Sequence, residues 1–567
     1  MKLNDQPSKP VAAKGGTDPE CTVENKDHGA ISGLTIDKRT FLFLLLVPIV
    51  IIVSYSYLDS ARGPYFYAHN SDPEYAYLLN SLNIAELKSP SHIDHPGTPL
   101  QVLGGLCIGI ANIGNPGDIT QQNVINESEY YLYLLNMLLA AVIAGAALLV
   151  GIFAFEISGK LYLGLLLQVS LFCSPHIYHE LVRVRPETLL ISITYLFLIP
   201  VIATLKFRAE DHLKKYLAAF ALLTGLGIAT KIVFVPLAII PLILIPRFKN
   251  KILFVLFTIL SFLFFTIPIW PKFSGFFSWC YRLLTRSGRY GGGEADFVDT
   301  SKFFDNIFAA LTENPVFSLA LLLSVVFLVR SLMRSRGEER VHAHIDLRVL
   351  MSLIVAQFLQ VLLVSKHYSP HYLLPALMLT GITMFCLGRN VCSLGDLGKR
   401  KQPVVLLVAA VGVGFVVYTW NGIGRMASGL RVRSEESLAV VEAMNRYPEH
   451  DKVYYYRSSS KMFALHFGNS FAGSEYGAKL NSMFPGHYFY NVWSRAYSDF
   501  SRNIVMEQYI KDNPERLKAG NPKSFKVVFQ GRSFERSRNA NQGHKPELDL
   551  IDVHEGPEET IYLLNLK

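Results

Sequence analysis

The chain has 567 residues, of which 50 % are hydrophobic and only 17 % charged, with a formal charge of +9 and a mean hydropathy of +0.28. A soluble globular protein of this length carries more charge, so the composition points to a polytopic membrane protein. The basic excess is not a nucleic-acid signature, because Lys and Arg recur as short clusters between apolar runs rather than as patches interleaved with aromatics.

Residues 1–35 are polar and aperiodic and read as a disordered cytoplasmic tail (1–38 as a unit), with no convincing signal-peptide cleavage site after the first apolar run. From there, apolar runs near 40–57, 129–156, 160–174, 187–205, 216–230, 232–246, 252–270, 314–333, 348–365, 373–388 and 403–420 predict about eleven membrane helices. The basic clusters at Lys38-Arg39, 206–215, 247–251, 334–340 and 389–401 all fall on one side of that map. The positive-inside rule makes this side cytoplasmic. Residues 58–128, 175–186, 271–313, 366–372 and the C-terminal segment then face the opposite, outer side. The glycine-rich stretch 99–114, "PLQVLGGLCIGIANIG", is too short to cross and is expected to lie at the interface.

Residues 39–420 therefore form the membrane domain, with the first outer loop at 58–128. Residues 421–567 have mixed periodicity: "SEESLAVVEAMNRY" predicts a capped amphipathic helix, and "KVYYY", "FKVVFQ", "LDLIDV" and "TIYLLNL" predict strands of an extracytoplasmic α/β domain. Six cysteines without C-x-x-C spacing predict neither a disulfide framework nor a cysteine metal site.

The ionisable residues near the membrane gather on the outer side, where such groups are functional candidates because burying them is costly. The first outer loop supplies His69, Asp72, Glu74, His92, Asp94 and His95, with Tyr75 beside the acids. The second supplies His176, His179, Glu180, Arg183, Arg185 and Glu187, and Lys231 sits between the runs 216–230 and 232–246. The third carries Arg282, Arg286, Arg289 and "GGGEADF", and "KHYSPHYLLP" adds Lys366, His367 and His371. Acids of this kind suit a general base, and either Asp72 or Glu74 fits that role. Arg185, Lys231, Lys366 and His371 suit a phosphate. His92, Asp94, His95 and Tyr75 are expected to line the same polar cavity. His92/His95 and His176/His179 raise the question of zinc, but Pro96 and Pro99 make the first pair's segment extended, so hydrogen bonding is preferred and no metal or other cofactor is assigned.

Taken together, "SDPEY" (71–75), the His-Pro-Gly-Thr-Pro string, "VRVRPETLL" (182–190), "GLGIATKIVFVP" (225–236) and "HYLLP" (371–375) resemble the GT-C glycosyltransferases over roughly residues 40–390. The similarity is to the glycosyltransferase family 39-like members, the bacterial relatives of protein O-mannosyltransferase and of the lipid A aminoarabinose transferase. The resemblance implies a polyprenyl-phosphate sugar donor, a glycan, lipid or protein acceptor, and attack with inversion at the anomeric carbon. It places Asp72 as the base, Glu187 as a second acid that orients a substrate, and Arg185, Lys231 and His371 near the lipid phosphate. With no ER-retention or organelle signal visible, a bacterial inner membrane with the site on the periplasmic side is expected. This chain departs from the family in having Pro73 between the two acids, Glu187 in place of Asp and His371 in place of Arg. A polyprenyl-lipid or glycan transporter is the rival reading, but no repeated halves are visible. A metal-dependent GT-C enzyme using a lipid-diphosphate donor is the third.

Overall fold

A computed structural model describes residues 36–94, 96–205, 213–288, 292, 299–334, 344–393, 401–455, 458–491, 496–501, 527–531, 549–555 and 559–565. The protein is mainly helical. Among the described residues, seven helices are long and apolar enough to cross a membrane: Lys38–Arg62 (α1), Ser128–Ser158, Pro186–Ala203, Phe248–Phe265, Pro315–Met333, Ile345–Ser365 and Pro370–Gly388. The chain is thus an integral membrane protein. A further apolar pair, Leu161–Cys173 and Pro175–Val182, is bent by 80°, the shape of a broken span or of a re-entrant loop. The sequence suggests a straight span over 160–174; Pro175 opens a new helix capped by Ser174, whose Oγ accepts from the His176 N–H.

The expected spans 216–230 and 232–246 differ in kind. The first is a regular helix, Leu213–Thr230, while the second is a 3-10 segment, Ile232–Ala238, followed by the short helix Ile239–Leu244, with Pro236 and Pro241 interrupting the ladder. The run 403–420 belongs to a 45-residue helix, Lys401–Asn445. The residues expected to form a separately capped amphipathic helix are the end of that helix, so helical continuity carries the chain past the boundary drawn at 421.

Burial separates interior from peripheral helices. Pro186–Ala203 is 83 % buried over its apolar window, whereas Phe248–Phe265 is 11 % buried. Glu187, in the first turn of the most buried span, is thereby held at the centre of one end of the bundle.

Over that end lies a second hydrophobic core, distinct from the one between the membrane helices. It joins Ser71–Ala85 (α2), Thr98–Ala111 (α3) and the start of Ser128–Ser158 to the C-terminal domain. Two of the three glycines of α3 have a packing reason: a Cβ on Gly104 would lie 2.2 Å from Ser81 Oγ, and one on Gly105 2.6 Å from Ile84 Cγ2. The two short helices thus pack backbone to side chain.

The C-terminal domain contains a six-stranded mixed sheet in the order β3-β2-β1-β4-β6-β5. Its strands are Asp451–Tyr454 (β1), His487–Asn491 (β2), Ala496–Ser498 (β3), Val527–Gly531 (β4), Asp549–Glu555 (β5) and Thr560–Asn565 (β6). The four strands read from sequence are β1, β4, β5 and β6. The helix Lys461–Phe471 packs against α2 and carries the domain onto the first outer loop.

Candidate active site

Asp72 is not an ordinary helical residue. Its backbone is extended (φ −109°, ψ 118°), so the regular part of α2 begins at Pro73. Proline favours that first position, since its missing N–H would have no partner there. Two residues on, Glu74 points inward and is 0 % exposed. Arg183 grips it through Nε to Oε1 and through Nη2 to Oε2 at 3.0 Å. The same guanidinium donates to the backbone carbonyls of Asp72 (2.8 Å) and His69 (3.2 Å). The planar fork of arginine is suited to this kind of multiple contact, which a lysine could not reproduce. Glu74 is therefore committed to a buried ion pair. Among the described residues no donor reaches the Asp72 carboxylate, which is partly exposed.

The segment "VRVRPE" explains the next layer. Arg183 and Arg185 are both extended, so they share a face while Val184 turns into the outer core. Arg185 Nε lies 2.6 Å from Glu180 Oε2. Burial works against the Arg185 charge, but Glu180 and then Glu187 and Glu74 outweigh it and raise its pKa.

Lys231 bonds to Glu187 Oε1, and His371 Nε2 stands 3.5 Å from the same oxygen. The Lys231 ammonium also lies 4.6 Å from the Tyr372 ring centre, a cation–π contact. His371 Nδ1 is 3.0 Å from Ser369 Oγ.

The His-Ile-Asp-His-Pro-Gly-Thr-Pro string closes onto this group. Pro96 forms a backbone bridge with Lys231. Gly97 has φ +70° and precedes α3, and a Cβ there would lie 2.9 Å from Tyr77 Cε1, so both conformation and space require glycine. Pro99 occupies the first turn of α3. Asn80 of α2 accepts from the backbone N–H groups of Ser91 and His92 (2.7 and 3.1 Å), and Gln101 donates to the His92 carbonyl at 2.7 Å. The buried His92 has a lowered pKa, first from burial; Asp94 and Asp72 oppose the shift and Lys231 adds to it. Tyr77 is held well above its ordinary pKa, by burial and then by Glu187 and Asp94. These groups therefore form one electrostatic unit.

The structure thus brings together Asp72, Glu74, His92, Asp94, Arg185, Glu187, Lys231 and His371. It places Tyr75 elsewhere, in the outer core, where its hydroxyl donates to Glu129 Oε1 at 2.8 Å. Lys366 donates to the Leu284 carbonyl (2.6 Å) at the end of the helix Phe273–Thr285. His95, Arg289 and residues 293–297 of "GGGEADF" lie outside the described residues. His176 and His179 have different carboxylate neighbours, Glu313 at 3.7 Å and Glu180 at 3.8 Å. Among the described residues no three His, Cys, Asp or Glu side chains are grouped as metal ligands would be.

Four participants had no assigned role in the sequence reading: Glu180, Arg183, Tyr77 and Tyr372. The signal for Arg183 was present, since a buried acid needs a nearby cation, but nothing local says that Glu74 rather than Asp72 is the buried one.

No protein-family model matches the chain, and no curated protein matches it. Among the solved structures that resemble it are two of one protein. ArnT from Cupriavidus metallidurans in the apo state matches with 12 % identity and a TM-score of 0.49, over 93 % of this chain and 98 % of that one. The same protein bound to undecaprenyl phosphate matches with 12 % identity and a TM-score of 0.44, over 91 % and 97 %. At that identity and those scores the likeness assigns no role to any residue here.

Proposed function

We propose that this protein is an inverting glycosyltransferase of the GT-C type that moves a sugar from a polyprenyl-phosphate donor to an extracytoplasmic glycan, lipid or protein. The observation that carries the reading is the contrast within the cluster: two partly exposed carboxylates without a donor among the described residues, Asp72 and Asp94, beside buried cations at one end of a membrane bundle. The sequence resemblance supplies the reaction class.

In this reading Asp72 takes the proton of the acceptor hydroxyl as its oxygen attacks the anomeric carbon from the face opposite the phosphate. The bond between that carbon and the phosphate oxygen breaks, and polyprenyl phosphate departs. The leaving oxygen gains negative charge, which Lys231 and Arg185 stabilise from fixed positions in a water-poor pocket. His371 stands next to the same carboxylate as Lys231 and completes the phosphate side. His92 and Asp94 lie on the acceptor side, and Arg183 holds Glu74 and the Asp72 carbonyl. Glu187 orients Lys231. No metal is assigned. The basic-loop pattern favours an inner membrane with the site on the periplasmic face.

The test is transfer from a panel of labelled polyprenyl-phosphate sugars by purified protein in lipid, with and without chelator. Consumption of a donor by the wild type, lost in Asp72→Asn, is expected. Movement of a lipid-linked glycan across vesicles without donor consumption would overturn the reading in favour of transport.

A further inference from the structure

The turn that delivers Asp72 is anchored from both sides of the protein. On the membrane side, Asn70 Nδ2 donates to the Arg62 and Pro64 carbonyls (3.2 and 2.9 Å), and Arg183 holds the His69 and Asp72 carbonyls. On the other side the Ala68 N–H donates to Ser459 Oγ at 3.0 Å, a contact between residues 391 positions apart in the chain. Ser459 is buried and does not act alone. Its hydroxyl donates to Glu559 Oε1, its N–H donates to Glu559 Oε2 at 2.8 Å, and Ser437 Oγ lies 3.0 Å away. Glu559 immediately precedes β6, and Ser437 lies on the long helix Lys401–Asn445. One hydroxyl thus ties the sheet and that helix to the Asp72 turn.

A hydroxyl offers one proton and two lone pairs. With its proton on the Glu559 carboxylate, Ser459 Oγ is polarised as an acceptor and its direction is fixed, so the Ala68 N–H has a rigid partner. Other contacts of the domain lie further along α2: Tyr476 Oη donates to Asn83 Oδ1 at 2.6 Å, and Asn83 Nδ2 donates to the Ala472 carbonyl at 3.2 Å. Among the hydrogen bonds of the described residues, the Ser459 contact is the one from the domain that meets the turn itself.

We infer that Ser459, set by Glu559, is a positioning residue for Asp72, so that the C-terminal domain acts on the chemical step by fixing the catalytic turn. This rests on the transferase reading for its kinetic consequence but not for its structural one. The experiment compares Ser459→Ala, Ser459→Thr and the interface control Tyr476→Phe in the full-length protein in lipid. Two readouts are taken: hydrogen exchange of peptides covering 64–75, and kcat and donor KM.

Ser459→Ala is expected to speed exchange in 64–75 and to lower kcat about 10-fold, since small displacements of a reacting group have effects of this order or larger, with donor KM within about twofold. Ser459→Thr, which keeps the hydroxyl, recovers kcat at least in part, and Tyr476→Phe leaves both 64–75 and kcat near wild type. Unchanged exchange at 64–75 in Ser459→Ala overturns the inference, as does faster exchange with unchanged kcat, or an equal loss in Tyr476→Phe. If the wild type transfers no sugar, the transferase reading fails and the exchange data alone decide whether the anchor holds the turn.

Discussion

The two acids flanking Pro73 should separate cleanly by substitution, because one is used structurally and the other is not. Glu74→Gln removes a charge that is fully buried and places an amide where both carboxylate oxygens met Arg183. One of the two contacts then becomes donor against donor, and the guanidinium loses the carboxylate it pairs with among the described residues. A charge-assisted hydrogen bond contributes about 1.5–3 kcal/mol, and breaking a buried pair costs about 3–5 kcal/mol. A loss of roughly 3 kcal/mol is therefore expected. Asp72→Asn changes a partly exposed, unpartnered carboxylate and leaves the bond from Arg183 to the Asp72 carbonyl intact, so its stability should stay within about 0.5 kcal/mol of wild type. Its kcat should fall by about 10²–10⁴, the range for a general base.

The assay is thermal unfolding in nanodiscs alongside steady-state transfer of the labelled sugar. Glu74→Gln should melt clearly lower while the surviving folded fraction retains measurable turnover. Asp72→Asn should melt like the wild type and be nearly inactive. Wild-type kcat in Asp72→Asn, or an unaltered melt with abolished turnover in Glu74→Gln, would refute this division of labour.

The other expectations are compact. Lys231→Met leaves Glu187 buried without its ammonium and should cost about 3–5 kcal/mol; Lys231→Met/Glu187→Leu should recover most of that in a melt while transfer stays lost. His69 lies outside the membrane spans, and burial depresses its pKa to about 4 from an ordinary 6.5. The unfolded chain thus takes up this proton first, and stability should fall as pH drops from about 6.5 toward about 4, with no change from this group above that window. His69→Gln should flatten that part of the stability profile. Gly104→Ala should destabilise the protein by about 1–3 kcal/mol through the collision with Ser81, and Ser81→Gly in the same chain should relieve it.

Much of this was legible in the sequence because membrane helices and strands announce themselves by composition and period. The spans containing Leu44, Ile143 and Leu353 needed nothing but apolar runs, and β1, β4, β5 and β6 nothing but alternation and β-branched residues. The helix Lys401–Asn445 was cut too early because its polarity changes at the membrane boundary while its backbone does not; hydropathy reports the environment, not the hydrogen-bond ladder. The broken segment around Ser174 and Pro175 looked like one span for the converse reason. Within the site, clustering of motifs could be anticipated, but pairing could not. Glu74 and Arg183 are separated by 109 positions, and which acid turns inward depends on the extended backbone at Asp72. Tyr77 and Tyr372 carry no charge that would mark them in the sequence; Tyr372 enters through its ring against Lys231 and Tyr77 through its close fit at Gly97.

The charge arrangement sets a requirement on how an anionic donor binds. Each cation near the site already has a carboxylate: Arg183 has Glu74, Arg185 has Glu180 and Lys231 has Glu187. Among the described residues the site therefore offers a phosphate no net positive charge, and Asp72 and Asp94 add negative ones. Under the proposed transferase reading, a polyprenyl phosphate would then compete with a carboxylate for its cation. Arg183 is excluded, since releasing it would also free the Asp72 and His69 carbonyls. Lys231 is the better partner to exchange: its ammonium is a point charge that can be shared, and it faces Tyr372, while the nearby His371 can gain a proton as phosphate arrives. In the transferase reading the resting Lys231–Glu187 pair keeps a buried lysine charged until its anion binds, so that Glu187, which orients Lys231, also holds the place the phosphate would take.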